Sequence, residues 1–197
     1  DYDSPPTPHH CDGPGMSSAP RYTPHYTVED YRRWEGDWEL WAGTAVSMTP
    51  SPFGRHGSML ARLVTALTNG IDSAGCNATV LAEIDWIIAD DTIVRPDASV
   101  ICGGSPEKHI ESAPAVVGEV LSPATRERDL HHKRALYANN RVPWYLIADP
   151  ADSLITLLKL NEQHEYVLTP IAGDDHVELL ICDDCRINLD FSRCVQQ

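Results

Sequence analysis

The stretch PAVVGEVLSPATRERDL, residues 114–130, decides the fold of this chain. Its first half alternates as a buried β-strand, in which Glu119 shares one face with Val117 and Leu121. On the other face, Gly118 allows a neighbouring element to approach the backbone closely. A buried carboxylate without a partner is costly, so such a group becomes neutral, forms an ion pair or binds a metal. The rest of the sequence must therefore supply a partner for Glu119.

The second half of the stretch begins a predicted helix over residues 122–140. Within it, Lys133 has Leu130 at i−3, Leu136 at i+3 and Tyr137 at i+4. That spacing predicts that Lys133 lies on or beside the apolar stripe of the helix. An inward-facing ammonium group beside a carboxylate can orient a water molecule and stabilise charge on a phosphate. The alternatives are that Lys133 extends to solvent, or that it only forms a salt bridge with Glu119.

A second carboxylate, Asp97, lies in the preceding predicted strand, IVRPDASVI. Pro96 has no backbone N–H, which predicts that strand pairing is interrupted just before Asp97. Two consecutive strands that each carry one acid can place the carboxylates side by side, and a divalent cation relieves their repulsion. Hard oxygen ligands of this kind favour Mg²⁺ or Mn²⁺. Asp97, Glu119 and Lys133 together therefore predict a metal-dependent hydrolytic site.

The remaining periodicities predict an α/β fold with a mixed central sheet and two main flanking helices. A short helix follows Thr27, which caps it together with Asp30. A strand–turn–strand unit surrounds Ala42-Gly43, and a long helix ends at Asn69-Gly70. Other predicted strands are ATVLAEIDWII, IVRPDASVI, VPWYLIADP, SLITLLKL, EYVLTPI and VELLIC, the last three forming a C-terminal antiparallel meander.

The composition describes an acidic protein with enough apolar residues for a core. Hydrophobic residues make up 42% of the 197 residues, and the formal net charge is −14. This length suits one domain of ordinary size. The negative charge argues against broad, non-specific binding of phosphates. Any action on nucleic acid must therefore depend on a local basic cluster and on metal ions.

The first residues of the chain differ in composition from the rest. Residues 1–24 hold six of the fifteen prolines and predict a disordered tail, so that residues 25–197 form a single domain. No uncharged apolar run of membrane-spanning length is present, and the first residues lack the blocks of a signal peptide. We therefore expect no membrane span and a cytoplasmic location.

The six cysteines are scattered, which predicts reduced thiols and no disulfide framework. Cys182 and Cys185 form a CxxC pair, and only Cys194 follows it. A structural zinc site needs four ligands, so His176 would have to complete it. A small zinc-binding interaction protein is thus one alternative to the hydrolytic interpretation.

The order Pro96-Asp97, Glu119, Lys133 resembles the motif of the PD-(D/E)XK nuclease superfamily. In the usual motif the lysine lies two residues after the glutamate, where this chain has Leu121. The chain is most similar to a branch in which the lysine has moved to the following helix, the Uma-two family of restriction-endonuclease-like proteins. The resemblance extends over about residues 26–195, and its most specific part is EVLSPAT followed by Asp129, Lys133 and Tyr137. Where the family often has Asp-Gly-Glu, this chain has Ala42-Gly43-Thr44.

The resemblance implies a restriction-endonuclease-like fold and a role for each motif residue. Asp97 and Glu119 would bind Mg²⁺ or Mn²⁺, and Lys133 would be the catalytic lysine. Glu39 matches an early glutamate of these nucleases and would be a fourth catalytic residue; the alternative is that it is a surface partner of Arg32 or Arg33. Because such nucleases often pair to cut both strands, the resemblance also points to a homodimer.

Several further residues are weaker candidates. Arg55 and His56 match an Arg-His pair of the family at the start of the long helix and could contact phosphate. Glu83 and Asp85 could add a metal ligand. The sequence further offers Ser122 and Tyr137 to shape the site, and a local basic cluster of Arg126, Arg128 and Arg134.

The function predicted from these residues is a metal-dependent endonuclease that hydrolyses phosphodiester bonds in DNA. The main alternative is a catalytically inactive binding or interaction module that retains the nuclease fold. A third interpretation is purely structural, with Glu119 and Lys133 forming a buried ion pair without a metal.

Overall fold

The computed structural model describes residues 23–48, 54–171 and 175–195, so the predicted tail of residues 1–24 lies almost entirely outside the described residues. The α-helices are α1 (Val28–Tyr31), α2 (Gly54–Ala74), α3 (Arg134–Asn139) and α4 (Ser192–Val195), and a π-helical segment, Arg128–Lys133, leads directly into α3. The strands are β1 (Trp38–Trp41), β2 (Thr44–Ser47), β3 (Ala78–Ala82), β4 (Trp86–Ala89), β5 (Thr92–Val94), β6 (Ala98–Cys102), β7 (Val116–Val120), β8 (Trp144–Asp149), β9 (Leu154–Leu160), β10 (Tyr166–Thr169), β11 (His176–Ile181) and β12 (Cys185–Asp190).

A mixed six-stranded sheet forms the centre of the fold. Its strand order is β10-β9-β8-β7-β6-β3, with β7 and β8 parallel and the other neighbours antiparallel. A second sheet has the order β2-β1-β5-β4, and β11 and β12 form a separate hairpin. The predicted α/β class with a mixed central sheet and antiparallel C-terminal strands is confirmed, but the meander is divided: β9 and β10 extend the central sheet, whereas β11 and β12 do not.

Two segments that were each predicted as one strand are divided between the two sheets. ATVLAEIDWII forms β3 and β4, and IVRPDASVI forms β5 and β6. The first break contains Glu83, which has a positive φ of 53°. The second contains Pro96, which cannot donate a backbone hydrogen bond to a neighbouring strand. The second break leaves Asp97 directly before β6, at the point where the chain enters the central sheet.

The long helix α2 continues past its predicted end at Gly70 to Ala74. Gly70 is instead a packing position, because a Cβ atom there would lie 2.8 Å from Leu189 Cδ2 on β12. Gly118 serves the same purpose on β7, where a Cβ atom would lie 3.0 Å from Leu63 Cδ2 of α2. The close approach of α2 to both surfaces thus depends on two residues without side chains.

The two faces of β7 belong to two different hydrophobic clusters. Val116 and Val120 pack in a cluster with Leu63 of α2. Val117 and Leu121 belong to a cluster with Tyr137. This arrangement confirms the predicted alternation along β7, and it places Glu119 on the face that carries the aromatic cluster.

Two disulfides connect the C-terminal hairpin to the central sheet, so the prediction of reduced thiols was wrong. Cys76 pairs with Cys185 and Cys102 with Cys182, with Cα–Cα distances of 5.9 and 5.5 Å. The hairpin turn places Cys182 and Cys185 beside the edge where Cys76 precedes β3 and Cys102 ends β6. Long-range pairing of this kind leaves no trace in local spacing.

The zinc alternative fails on the same geometry. Cys182 and Cys185 are both engaged in disulfides, and Cys194 is a buried thiol.

Disulfides favour an oxidising compartment, whereas the cytoplasmic location stays a prediction from sequence. Across the described ranges, no helix has the length and apolar character that crossing a membrane requires.

We expect reduction of the two disulfides to lower the free energy of unfolding. Each closes a long loop, with sequence separations of 109 and 80 residues. In the chain-entropy description, a disulfide that closes a loop of that length stabilises the folded state by about 4–5 kcal/mol. Because the two loops overlap, their combined contribution is smaller than the sum of the two values. The measurement is thermal unfolding with and without reductant. The double variant Cys102→Ser/Cys182→Ser is the control, since it should respond less to reductant; equal midpoints for oxidised and reduced parent protein would contradict the expectation.

Candidate active site

Three buried carboxylates surround the ammonium group of Lys133. Its Nζ lies 3.0 Å from Glu39 Oε1, 3.0 Å from Glu119 Oε1 and 3.9 Å from Asp129 Oδ1. The four side chains are between 2% and 6% exposed. With every group ionised, the cluster would carry an excess of negative charge in a site of low dielectric constant, which is unfavourable unless a proton or a cation offsets it.

The four side chains of the cluster come from three different elements of the fold. Glu39 lies on β1 of the smaller sheet, and Glu119 lies on β7 of the central sheet. Asp129 and Lys133 come from the π-helical segment, and both point inward. Segments with π geometry are rare and are often found at functional sites, where they alter the direction of a side chain. The cluster therefore lies where both sheets meet this segment.

Glu119 is held by two donors through the same oxygen atom. Tyr137 Oη donates a hydrogen bond of 2.5 Å to Glu119 Oε1, which Lys133 Nζ also contacts. No donor from the described residues reaches Glu119 Oε2. Burial raises the pKa of Glu119 well above its ordinary value, with further contributions from the charges of Asp97 and Asp129, while Lys133 opposes the shift. The ionised form of Glu119 is thus costly without a further cation.

The charge of Lys133 is secured by the same neighbours. Burial alone would lower the pKa of Lys133, but the negative charges of Glu119, Glu39 and Asp129 outweigh it and raise the pKa above its ordinary value. Lys133 therefore stays protonated at neutral pH. A protonated ammonium can stabilise negative charge and donate hydrogen bonds, but it cannot accept a proton from water.

Asp97 lies opposite Glu119 at the start of β6. Ala98 is paired with Gly118 in the antiparallel ladder, and Asp97 Oδ2 accepts a 2.6 Å hydrogen bond from the backbone N–H of Val120. Nε2 of His56, near the start of α2, is 3.5 Å from the same oxygen. Asp97 makes no ion pair with Lys133 among the described contacts. The structure thus joins Glu39, Glu119 and Lys133 directly and places Asp97 beside them on the adjacent strand.

The donors fit a divalent cation that is only partly coordinated by protein. Among residues 23–48, 54–171 and 175–195, no three His, Cys, Asp or Glu side chains are grouped so that they could hold a metal alone. Mg²⁺, however, is commonly bound by one or two carboxylates and completes its coordination with water and substrate phosphate. Asp97 Oδ1 and Glu119 Oε2 accept no hydrogen bond from the described residues, and the cluster has an excess of negative charge. These features fit Mg²⁺ or Mn²⁺ held by Asp97 and Glu119.

Glu83 and Asp85, which were suggested as additional metal ligands, lie outside the cluster around Lys133. Asp85 accepts hydrogen bonds from Arg95 Nε at 2.7 Å and from Tyr31 Oη at 2.9 Å, which makes it part of a separate ion-pair network. Glu83 is exposed and lies in the irregular chain between β3 and β4. The expectation that both lie on a strand was therefore wrong, and neither carboxylate joins the cluster around Lys133.

Of the weaker candidates, Tyr137 contacts the cluster directly, and His56 contacts Asp97. The hydrogen bond to Asp97 raises the pKa of His56. The three arginines of the predicted basic cluster are occupied in different ways: Arg126 pairs with Asp149, Arg134 donates to the carbonyl of Tyr166, and Arg128 lies over Trp41.

Asp129 is a member of the cluster that sequence reasoning did not assign to the site. Its spacing of four residues from Lys133 was the available signal, because residues at i and i+4 share one helix face.

Burial raises the pKa of Asp129 to about 6, against the opposing charge of Lys133. The ordinary value is 3.8, so the folded protein retains a proton on Asp129 that the unfolded chain releases between these two pH values. Its contribution to stability therefore falls as the pH rises through this interval.

We expect Asp129→Asn to raise the free energy of unfolding at pH 7 by about 1–3 kcal/mol when no metal is present. The reason is that the ionised carboxylate is unfavourable in its buried position at this pH. The gain should shrink as the pH falls from about 6 to about 4, and it should be absent at lower pH, where the carboxyl is protonated in both states. Urea unfolding at pH 4 and pH 7 measures this, with the exposed Asp72→Asn on α2 as control. A loss of stability at pH 7 would contradict the expectation.

Comparison with known proteins agrees with this fold. The family model Uma2, described as "Putative restriction endonuclease", matches residues 28–189. A protein of Synechocystis sp., described only as uncharacterised, is 27% identical over 163 residues, which cover 79% of this chain and 85% of the relative. The crystal structure of a putative nuclease belonging to DUF820 from Anabaena variabilis superposes with a TM-score of 0.65 at 17% identity, covering 79% of this chain and 89% of that one. At that identity the superposition shows a shared fold, and the match over residues 28–189 shows that the chain belongs to the Uma2 family of restriction-endonuclease-like proteins.

Proposed function

We propose that the protein is a metal-dependent endonuclease that hydrolyses phosphodiester bonds in DNA. The observation that carries this proposal is the buried Lys133 ammonium between Glu39 and Glu119, with Asp97 on the strand adjacent to Glu119. Glu39, Glu119, Asp129 and Lys133 are all buried where two sheets meet, and such a cluster is a costly arrangement for stability alone. Membership of a family described as restriction endonuclease supports the same activity.

The proposed roles follow from the contacts of each side chain. Asp97 and Glu119 would hold Mg²⁺ or Mn²⁺, which when bound would polarise the scissile phosphate and lower the pKa of a water ligand. Lys133 donates hydrogen bonds that orient the attacking water and offset the negative charge that grows on the phosphate. Glu39 keeps the ammonium of Lys133 in position, and Tyr137 fixes the orientation of Glu119.

The net charge of −14 would oppose binding of DNA unless local features offset it. A divalent cation held by Asp97 and Glu119 would supply two positive charges at the site. Arg128, whose guanidinium group lies over Trp41 beside Glu39, adds a local positive charge. We also propose a homodimer as the form that would cut both strands of a duplex.

Metal-dependent nicking of a supercoiled plasmid tests the proposed activity. We expect the parent protein to nick DNA in Mg²⁺ or Mn²⁺ and to be inactive in EDTA. Asp97→Asn should lose about 10²–10³ in rate, because one metal ligand is replaced by a weaker, neutral one. Asp72→Asn, a matched change on an exposed part of α2, should cut like the parent protein.

The competing function is an inactive binding module with a nuclease fold. Leu121, at the usual lysine position of the motif, is buried in the aromatic cluster, and the protein is strongly acidic. Binding of DNA without cleavage in either metal would favour that module. Cleavage that Asp97→Asn leaves unchanged would mean that a contaminant or another site is responsible.

A further inference from the structure

Three side chains form a stacked group on the outer side of the catalytic cluster. The rings of Trp41 and His132 are stacked, with centroids 4.1 Å apart and an interplanar angle of 15°. The guanidinium carbon of Arg128 lies 5.9 Å from the centre of the same indole ring. We call these three side chains the stacking platform.

The stacking platform is joined to the catalytic cluster at two points. Trp41 Nε1 donates a 3.1 Å hydrogen bond to Glu39 Oε2, and the other oxygen of Glu39 contacts Lys133. His132 is the neighbour of Lys133 in the chain, but it is exposed where Lys133 is buried. A molecule resting on the platform would therefore be adjacent to the group that is proposed to act on phosphate.

The exposed side chain of His132 makes few contacts with the rest of the described fold. Within the described part of the chain, the stack on Trp41 is the only ring contact of the His132 side chain, which makes no side-chain hydrogen bond there. Its ring is exposed, whereas the indole beneath it is half-buried and fixed by Glu39. An exposed, flat ring on a rigid aromatic support, with a guanidinium group nearby, is the arrangement on which nucleobases stack.

We propose that the stacking platform binds one unpaired nucleobase next to the scissile phosphate, an inference that rests on the proposed nuclease function. In a duplex each base already stacks on its neighbours, so only an unpaired or displaced base offers a free face to His132. The preferred substrate class is then single-stranded DNA, or DNA with unpaired nucleotides at the cut. The contact is tolerant of sequence, because every base has a π-face.

Substitutions of His132 separate stacking from charge. We expect His132→Ala to weaken binding of a fluorescein-labelled single-stranded 20-mer by roughly 5- to 150-fold, the range for one base–aromatic stack. His132→Phe keeps a flat ring and should bind within a few-fold of the parent protein. His132→Lys places a positive charge at this position without a ring and should bind like His132→Ala. Fluorescence anisotropy in Ca²⁺ measures each affinity, with circular dichroism to verify folding.

The neighbouring histidine is the matched control. His131 is equally part of the π-helical segment, its side chain is 75% exposed, and its contact is with Glu127 rather than with an aromatic ring. His131→Ala should bind the single strand as the parent protein does. The fully paired duplex of the same sequence should bind more weakly than the single strand and should be insensitive to His132→Ala.

The outcomes distinguish this inference from the nuclease proposal. A parent protein that cuts plasmid DNA, but whose single-strand affinity is the same in His132→Ala and His131→Ala, overturns the platform and leaves the nuclease intact. Tight binding by His132→Lys, or equal loss on single strand and duplex, also overturns it, since charge alone would then explain the contact. A parent protein that never cuts but shows the expected His132 series refutes the catalytic proposal and supports the platform.

Discussion

Replacement of Lys133 by alanine is expected to slow phosphodiester cleavage by about 10²–10³ at saturating metal. The ammonium lies between Glu39 and Glu119, so no other side chain of the cluster can supply its positive charge or its hydrogen bonds. Single-turnover rates on a labelled oligonucleotide measure this, because they report the chemical step. Lys108→Ala, which removes an exposed lysine, should leave the rate unchanged.

The loss of Lys133 also affects folding, which a second variant separates from catalysis. Removing one partner from a buried ion pair typically costs about 3–5 kcal/mol. Lys133→Arg retains the positive charge, so we expect it to fold, but to cleave slowly because a planar guanidinium cannot take the place of a compact ammonium. Folded Lys133→Ala or Lys133→Arg protein with the parent rate would show that this lysine has no catalytic role.

Glu119→Gln should abolish cleavage without lowering thermal stability in EDTA. Because burial raises the pKa of Glu119, its ionised form is unfavourable without a metal, and a neutral amide of the same shape removes that cost. Lys133 keeps a partner in Glu39. The parent protein, by contrast, should gain about 2.7 kcal/mol at a Mn²⁺ concentration of 100 times Kd. That gain corresponds to a rise in Tm of roughly 5–10 °C, which Glu119→Gln should not show.

The same measurement tests the interpretation of Glu119 and Lys133 as a structural ion pair. In that case Glu119→Gln would remove one of the negative charges that stabilise the buried Lys133 ammonium, and the variant would unfold at a lower temperature than the parent protein. Mn²⁺ would then stabilise neither protein. The exposed Glu162→Gln serves as the control, since it should keep both the stability and the metal response of the parent protein.

The features that could be predicted from sequence are those that depend on local periodicity. Alternation along residues 116–121 correctly placed Glu119 on the face with Val117, and helical spacing correctly turned Lys133 inward. The capping box of Thr27 and Asp30 follows directly from residue types at fixed spacing. In each case the chain within a few residues determines the direction of the side chain.

The features that could not be predicted depend on contacts between distant segments. The breaks that divide two predicted strands between two sheets arise where the strand partners change, at Glu83 and Pro96. Gly70 reads as a helix end from sequence, yet it lies inside α2 because β12 packs against it. The disulfides join residues that are 109 and 80 positions apart, and Asp129 enters the site through a π-helical turn.

The central claim is that Asp97 and Glu119 hold one divalent cation beside the Lys133 ammonium. Anomalous diffraction from crystals soaked in Mn²⁺ tests it most directly, because the signal locates the ion without reference to activity. We expect the strongest peak at about 2.0–2.3 Å from a carboxylate oxygen of Asp97 and of Glu119, and no such peak in Glu119→Gln. A parent crystal whose strongest peak lies elsewhere, or that has none between these two side chains at saturating Mn²⁺, would contradict the claim.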